Sequence, residues 1–301
     1  MHRNTLFILT GPTGVGKTQL ALNIADALGS PVINADSRQL YRQIPIGTAA
    51  PTPEQLGRAR HYFVGTLNLD QYYSAAQYES DVLRLLPDLF ATHHNLLLTG
   101  GSMLYIDAVC NGIDDIPTVD PDTRDLLRQR LHNDGLDALC NELRLLDPDH
   151  YNRVDLRNSR RVVHALEICY MTGRPYSSFL NHRPKQRPFN IVKIALNLPR
   201  PQLFDRINSR VEQMIADGLE AEARSVYHLR HLNSLNTVGY KEMFDYFDGI
   251  TDFPTAIQKI QRNTRVYAKK QLTWYKKQPD IAWFNPTDTT QVLDYIDSHK
   301  S

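Results

Sequence analysis

The chain has 301 residues, 42% hydrophobic and 22% charged, with a formal net charge of +1. This is ordinary for one large soluble domain or two smaller ones, and it excludes a protein whose global charge marks it as a nucleic-acid binder; contact with a polyanion must come from local patches. Cys110, Cys140 and Cys169 form no CxxC pair, which argues against a zinc site or a disulfide framework, and no apolar run reaches the roughly 20 residues of a membrane helix.

MHRNTLFILTGPTG, from Met1, carries a short apolar run that feeds straight into a glycine-rich loop. It reads as a first strand, not a signal peptide, and the protein is expected in the cytoplasm. KTQLALNIADALG follows as a helix: Leu20, Ala21, Ile24, Ala25 and Leu28 keep helical spacing, and Gly29 supplies the stop. PVINADS is a second short strand. SAAQYESDVLRLLPDLF opens with Ser74 and Gln77 at capping-box spacing and runs helical. NLLLTGG is another strand, and SMLYIDAVC begins a helix. Alternating strands and helices imply a parallel sheet covered on both faces.

From about Asn111 to Arg187 the pattern changes to helices and polar connections with no convincing strand. FNIVKIALNL then returns to strand type. The predicted fold is therefore α/β: a P-loop NTPase-like parallel sheet flanked by helices, with an inserted all-helical domain. Residues 1–112 and 188–301 form the core and 113–187 the insert, with hinges at Cys110 to Pro117 and His182 to Pro188. The remainder is helical apart from IAWF. Within it, Ile257 to Gln278 holds seven Lys or Arg and no acid, and Arg262, Arg265, Lys269 and Lys276 share one helical face.

The loop Gly11, Pro12, Thr13, Gly14, Val15, Gly16, Lys17, Thr18 matches G-x-x-x-x-G-K-[ST], between a strand and a helix as that motif requires. Its glycines let backbone N–H groups close around an anion at a helix N-terminus. Lys17 adds a point charge, and Thr18 offers a hydroxyl to Mg²⁺. An ordinary ATPase also needs an acid at the end of a later strand, but NLLLTGGS ends in Gly-Gly-Ser. The available carboxylate is Asp36, at the end of the second strand in NADSRQLY, where open α/β sheets bind ligands. As a residue type it serves equally as metal ligand, general base or turn cap.

GPTGVGKT, DSRQLY, IGTAAP, GGSMLY, RRVVHALE, TGRP, NTVGYKEM and TRVYAKKQLTWYKK follow one another in the order of one family. Over about residues 5–284 the sequence resembles the bacterial tRNA dimethylallyltransferases. That resemblance implies transfer of a dimethylallyl group from dimethylallyl diphosphate to N6 of adenosine 37, in the anticodon arm of tRNA. The loop would then hold a departing diphosphate, with Mg²⁺ as cofactor and a monomeric enzyme. It implies Asp36 as general base, Lys17 and Thr18 as diphosphate and metal groups, and Ser102 as a catalytic hydroxyl where the family usually has threonine. It implies tRNA contacts from Asp36, Ser37, Arg38, Gln39, Ser102, Arg124, Arg160, Arg161 and His164. The basic helix adds Arg262, Arg265 and Lys269 as candidates for phosphate contact. The chain departs from the family at Arg160 and His164, where Gln-Arg-x-x-Arg is common, and at Ala50, where lysine is common. Tyr41 and Tyr105 are candidates to stack on an extruded base or to pack in the core. Three other readings share the loop: a small-molecule P-loop kinase, an adenylate isopentenyltransferase acting on AMP, and a nucleotide-regulated RNA binder. The insert and the basic C-terminal region fit the kinase poorly, the insert favours a macromolecular acceptor over AMP, and the set Lys17, Thr18, Asp36 and Ser102 speaks against the third.

Overall fold

The computed structural model describes residues 4–181 and 184–301. Met1 to Arg3, ahead of the first strand, and His182 and Arg183, within the predicted second hinge, lie outside the described residues. The chain divides into two compact units, Met1–Cys110 with Gln186–Ser301, and Asn111–Lys185.

The first unit is built on six parallel strands: β1 (Thr5–Thr10), β2 (Val32–Asn34), β3 (His61–Tyr62), β4 (Asn95–Thr99), β5 (Asn190–Leu196) and β6 (Ile281–Phe284). Their order across the sheet is β3-β2-β4-β1-β5-β6. Around them run α1 (Lys17–Leu28), α2 (Pro53–Arg58), α3 (Ala75–Phe90) and α4 (Met103–Asn111). Strand β1 is buried at all six positions, as expected for a strand covered on both faces, and this is why TLFILT is almost continuously apolar. Gly29 ends α1 in the left-handed conformation, and the Ser74–Gln77 capping box opens α3. Too short for a periodic signal, α2 and β3 escape the sequence reading.

The helical insert comprises α5 (Pro121–Asn133), α6 (Gly135–Leu146), α7 (Pro148–Tyr151) and α8 (Ser159–Thr172), and has no strand among the described residues. It has its own core of Leu127, Leu139, Leu143, Val162, Ala165 and Leu166, all fully buried. Its two ends meet: Lys185 N–H donates to the Asn111 carbonyl at 2.7 Å.

The chain then returns with α9 (Arg200–Ala216), α10 (Leu219–Ser225), α11 (Tyr240–Phe247), α12 (Phe253–Tyr275) and α13 (Thr289–Asp297). Phe7, Leu9, Ile24, Leu97, Ile194, Leu203 and Ile207 join the sheet to α1 and α9 in one core. Each such side chain contributes roughly 1.5–3 kcal/mol on burial. The unit boundary falls at 185/186, and just beyond it the chain is pinned. The Arg187 guanidinium lies 2.7 Å from Glu79, with both side chains under a tenth exposed, and donates to the carbonyls of Ala108 and Val109. The predicted hinge therefore does not extend through Arg187.

Candidate active site

Strand order explains the site. The phosphate loop follows β1 and Asp36 follows β2, but β4 lies between those strands. Whatever follows β4 must let the two approach. It is Gly100, Gly101 and Ser102. A Cβ on Gly100 would sit 2.3 Å from the Ala35 backbone, and one on Gly101 would sit 2.8 Å from the Gln271 amide and 3.6 Å from Asp36 Oδ2. The Gly-Gly-Ser in place of a metal-holding acid thus lets a carboxylate from the next strand face the loop.

Within the loop, Lys17 Nζ donates to the carbonyls of Gly11 and Pro12, both at 2.9 Å. Its pKa is pushed down to about 7, first by desolvation and then by the neighbouring Arg210 charge, with Asp36 pulling it back up. Two arginines of α9, one turn apart, close on this loop, and the sequence reading missed both. Arg206 stands where a Cβ on Gly16 would come within 2.9 Å of its guanidinium. Gly16 itself has φ 107°, which opens α1 in a conformation that L side chains rarely adopt. Arg210 donates to Thr13 Oγ1 at 3.3 Å, and desolvation lowers its pKa while Asp36 opposes that. Lys17, Arg206, Arg210 and the loop amides form a compact cationic cradle suited to a multiply charged anion.

Asp36 is held by an Asx turn: its Oδ1 accepts the Arg38 N–H at 2.9 Å. The turn-cap role is therefore real and uses one oxygen, which orients the other. The side chains of the DSRQ segment are largely engaged with the protein. Ser37 N–H donates to Ser102 Oγ at 2.8 Å, and that hydroxyl donates to Ser37 Oγ at 3.0 Å. Ser102, expected as a catalytic hydroxyl, anchors the Asp36 turn. The Arg38 guanidinium donates to the carbonyls of Asn233, Ser234 and Asn236. Gln39 Nε2 donates to those of Thr48 and Ala49. Ala49 has φ 46°, rare for a residue with a Cβ. The loop that carries it is clamped by Glu222, whose carboxylate accepts the N–H groups of Ile46 and Gly47 at 2.8 Å and the Tyr240 hydroxyl at 2.5 Å.

Tyr41 and Tyr105 are both 7% exposed, and Tyr105 stacks on Tyr78 at 4.5 Å, so both are core residues. Tyr267, by contrast, is 37% exposed. Its hydroxyl reaches the Gly101 carbonyl at 3.4 Å, and its pKa is pushed up to about 12 by desolvation and then by Asp36. Thr18 is exposed at the first turn of α1. No group of three or more His, Cys, Asp or Glu side chains that could hold a metal occurs among the described residues. The Thr18 hydroxyl is an oxygen donor, the ligand type that Mg²⁺ takes.

The basic helix α12 ends at Tyr275, so Lys276 and Lys277 lie past its last turn. Arg262 and Lys269 are exposed. Arg265 is a correction: its guanidinium donates to Asn208 at 2.5 Å and lies over the Phe204 ring, so it packs α12 on α9 and does not join the outward face. Within the insert, Arg160 and Arg161 are exposed on the first turn of α8, which Asn158 caps. Arg124 and His164 flank one buried carboxylate, Glu167, at 4.0 and 3.2 Å.

Fold and site define a P-loop α/β protein whose loop faces a carboxylate from the neighbouring half of the sheet, with Gly-Gly-Ser where an ordinary ATPase carries its metal-holding acid. The family model described as IPP transferase matches residues 39–278. The chain belongs to the IPP transferase family. It is 60% identical over 295 residues to tRNA dimethylallyltransferase 1 of Phocaeicola vulgatus, covering 98% of each chain. It is 58% identical over 296 residues to tRNA dimethylallyltransferase 1 of Bacteroides fragilis, again covering 98% of each. Among solved structures, the tRNA isopentenylpyrophosphate transferase of Bacillus halodurans aligns with TM-score 0.72 at 33% identity, covering 98% of this chain and 96% of that one. No helix among the described residues is long and apolar enough to cross a membrane.

Proposed function

We propose that the protein transfers a dimethylallyl group from dimethylallyl diphosphate to N6 of adenosine 37 in tRNA, releasing diphosphate, as a cytoplasmic monomer. The observation that carries this reading is the Asp36 carboxylate facing the cationic loop across Gly100 and Gly101. The family membership and the names of the relatives support it.

In this reaction the N6 lone pair forms a bond to the allylic carbon as the carbon–oxygen bond to diphosphate breaks. The N6 lone pair is delocalised into the adenine ring, so the amine is a weak nucleophile. Asp36 accepts an N6 hydrogen and takes the proton as the new bond forms. Negative charge grows on the leaving diphosphate, where the loop amides, Lys17, Arg206 and Arg210 stand preorganised. Thr18 and the diphosphate oxygens would hold Mg²⁺, which adds charge neutralisation there. The exposed Arg160 and Arg161 of the insert, and Arg262 and Lys269 of α12, offer phosphate contacts that position the tRNA without reading its bases.

The test is label transfer with purified protein, Mg²⁺, labelled dimethylallyl diphosphate and unmodified tRNA. Label should enter tRNA and be lost when adenosine 37 is changed. Label entering AMP in a parallel tube would assign the enzyme to nucleotides instead. Label passing from ATP to a small acceptor, with none from the prenyl donor, would make the loop that of a kinase.

A further inference from the structure

Gln271 is polar, sits near the C-terminal end of α12, four residues before Tyr275, and is 1% exposed. Both halves of its amide are used. Its Oε1 accepts the Thr13 N–H of the phosphate loop at 2.8 Å, and its Nε2 donates to the Gly101 carbonyl at 2.8 Å. Gly101 is thin: a Cβ there would meet the Gln271 amide on one side and Asp36 Oδ2 on the other, at 2.8 and 3.6 Å. Next in the chain, Ser102 anchors Ser37 and so the Asp36 turn. One side chain therefore ties the limb of the loop that holds the leaving group to the turn that spaces the proposed base.

We infer that Gln271 is a positioning residue for the transfer step, one that fixes the distance between the phosphate loop and the Asp36 carboxylate; the inference rests on the roles proposed above for that loop and that carboxylate. A glutamine suits this because its planar amide presents acceptor and donor at fixed separation, and two bonds to backbone groups allow little play. An apolar replacement of similar length fills the space and leaves the Thr13 N–H and the Gly101 carbonyl to relax independently. Tyr267, one turn earlier on α12, reaches the same Gly101 carbonyl, but at 3.4 Å it is the looser contact.

The experiment uses the full chain with Gln271→Met and Gln271→Glu, each in the parent and in an Asp36→Asn background. Three quantities are read: single-turnover label transfer at saturating tRNA and dimethylallyl diphosphate, affinity for each substrate alone, and Tm. Gln271→Met should slow transfer by about tenfold or more while tRNA affinity stays within about twofold. In the Asp36→Asn background the same change should cost less than about threefold, because the group being positioned has lost its basic function. Gln271→Glu keeps the acceptor for Thr13 N–H and loses the donor to Gly101. It should retain donor affinity and still slow transfer, a split that loss of fold would not give. A Gln271→Met rate within about threefold of the parent, measured on folded protein, overturns the inference. So does an equal cost in both backgrounds. If Asp36→Asn itself keeps the parent rate, Asp36 is not the base, whatever Gln271→Met does, and the geometry that Gln271 fixes does not govern transfer.

Discussion

At the scale of single residues, the proposed chemistry is tested at two side chains. Asp36→Asn keeps the Asx turn, because the amide oxygen still accepts the Arg38 N–H, but it cannot take a proton. Transfer should fall by about 10²–10⁴-fold while dimethylallyl diphosphate binds nearly as before, checked by single-turnover label transfer and calorimetry. Lys17 gives a pH signature. Its pKa is about 7 with the cradle as described, so it is largely charged at pH 6 and largely neutral at pH 8. A bound diphosphate favours the charged form. Donor affinity should therefore weaken as pH rises above about 7, by up to tenfold per unit, and binding at pH 8 should take up close to one proton. Calorimetry in buffers of different ionisation heat reads that uptake directly; no uptake at pH 8 would mean that Lys17 stays charged without the ligand. For folding the sign is the reverse of the usual lysine pairing. Burial lowers the pKa from 10.5, so the penalty is full below about pH 7 and fades as pH climbs toward 10.5.

At the scale of elements, α12 and α9 matter most, and they show how far a sequence can be read. The phosphate loop and Asp36 are legible because each is a contiguous motif at a strand end, where topology alone brings it to the site. The Arg206, Arg210, Tyr267 and Gln271 contributions are not. Helical periodicity shows that Leu203, Ile207 and Val211 face a core, and it does not show that the row beside them ends against the loop. Arg262 and Arg265 look alike in sequence, and only the position of Asn208 and Phe204 on α9 separates an outward charge from a packing one. The separation makes a prediction. Reversing Arg262 and Lys269 to glutamate should weaken tRNA binding and reduce the slope of log affinity against log salt by about 2, whereas Arg265→Glu should chiefly lower Tm. Equal salt slopes for the reversed and parent proteins would assign α12 a structural role. Similarly, Ser102, Arg38 and Gln39 are found by motif, but their engagement with backbone is invisible until residues 233–236 and 48–49 are seen beside them.

At the scale of the whole molecule, the chain has separate cores, and they should fail separately. Leu166 is fully buried in the insert among Leu127, Leu139 and Val162. Leu166→Ala should cost that unit about 2–5 kcal/mol, lowering its unfolding transition in calorimetry while the sheet domain still binds dimethylallyl diphosphate. Loss of donor binding in step with the insert would show that the two are one cooperative body. The junction of the insert carries a further consequence. Asn111 and Lys185 lie within one hydrogen bond of each other, so to the rest of the chain the whole insert looks like a short turn. Closing such a loop costs only slowly more entropy as it lengthens. The insert is thus a cassette: its length and sequence can change during descent without retuning the sheet, because the strands on the other side of that junction meet only its two closed ends.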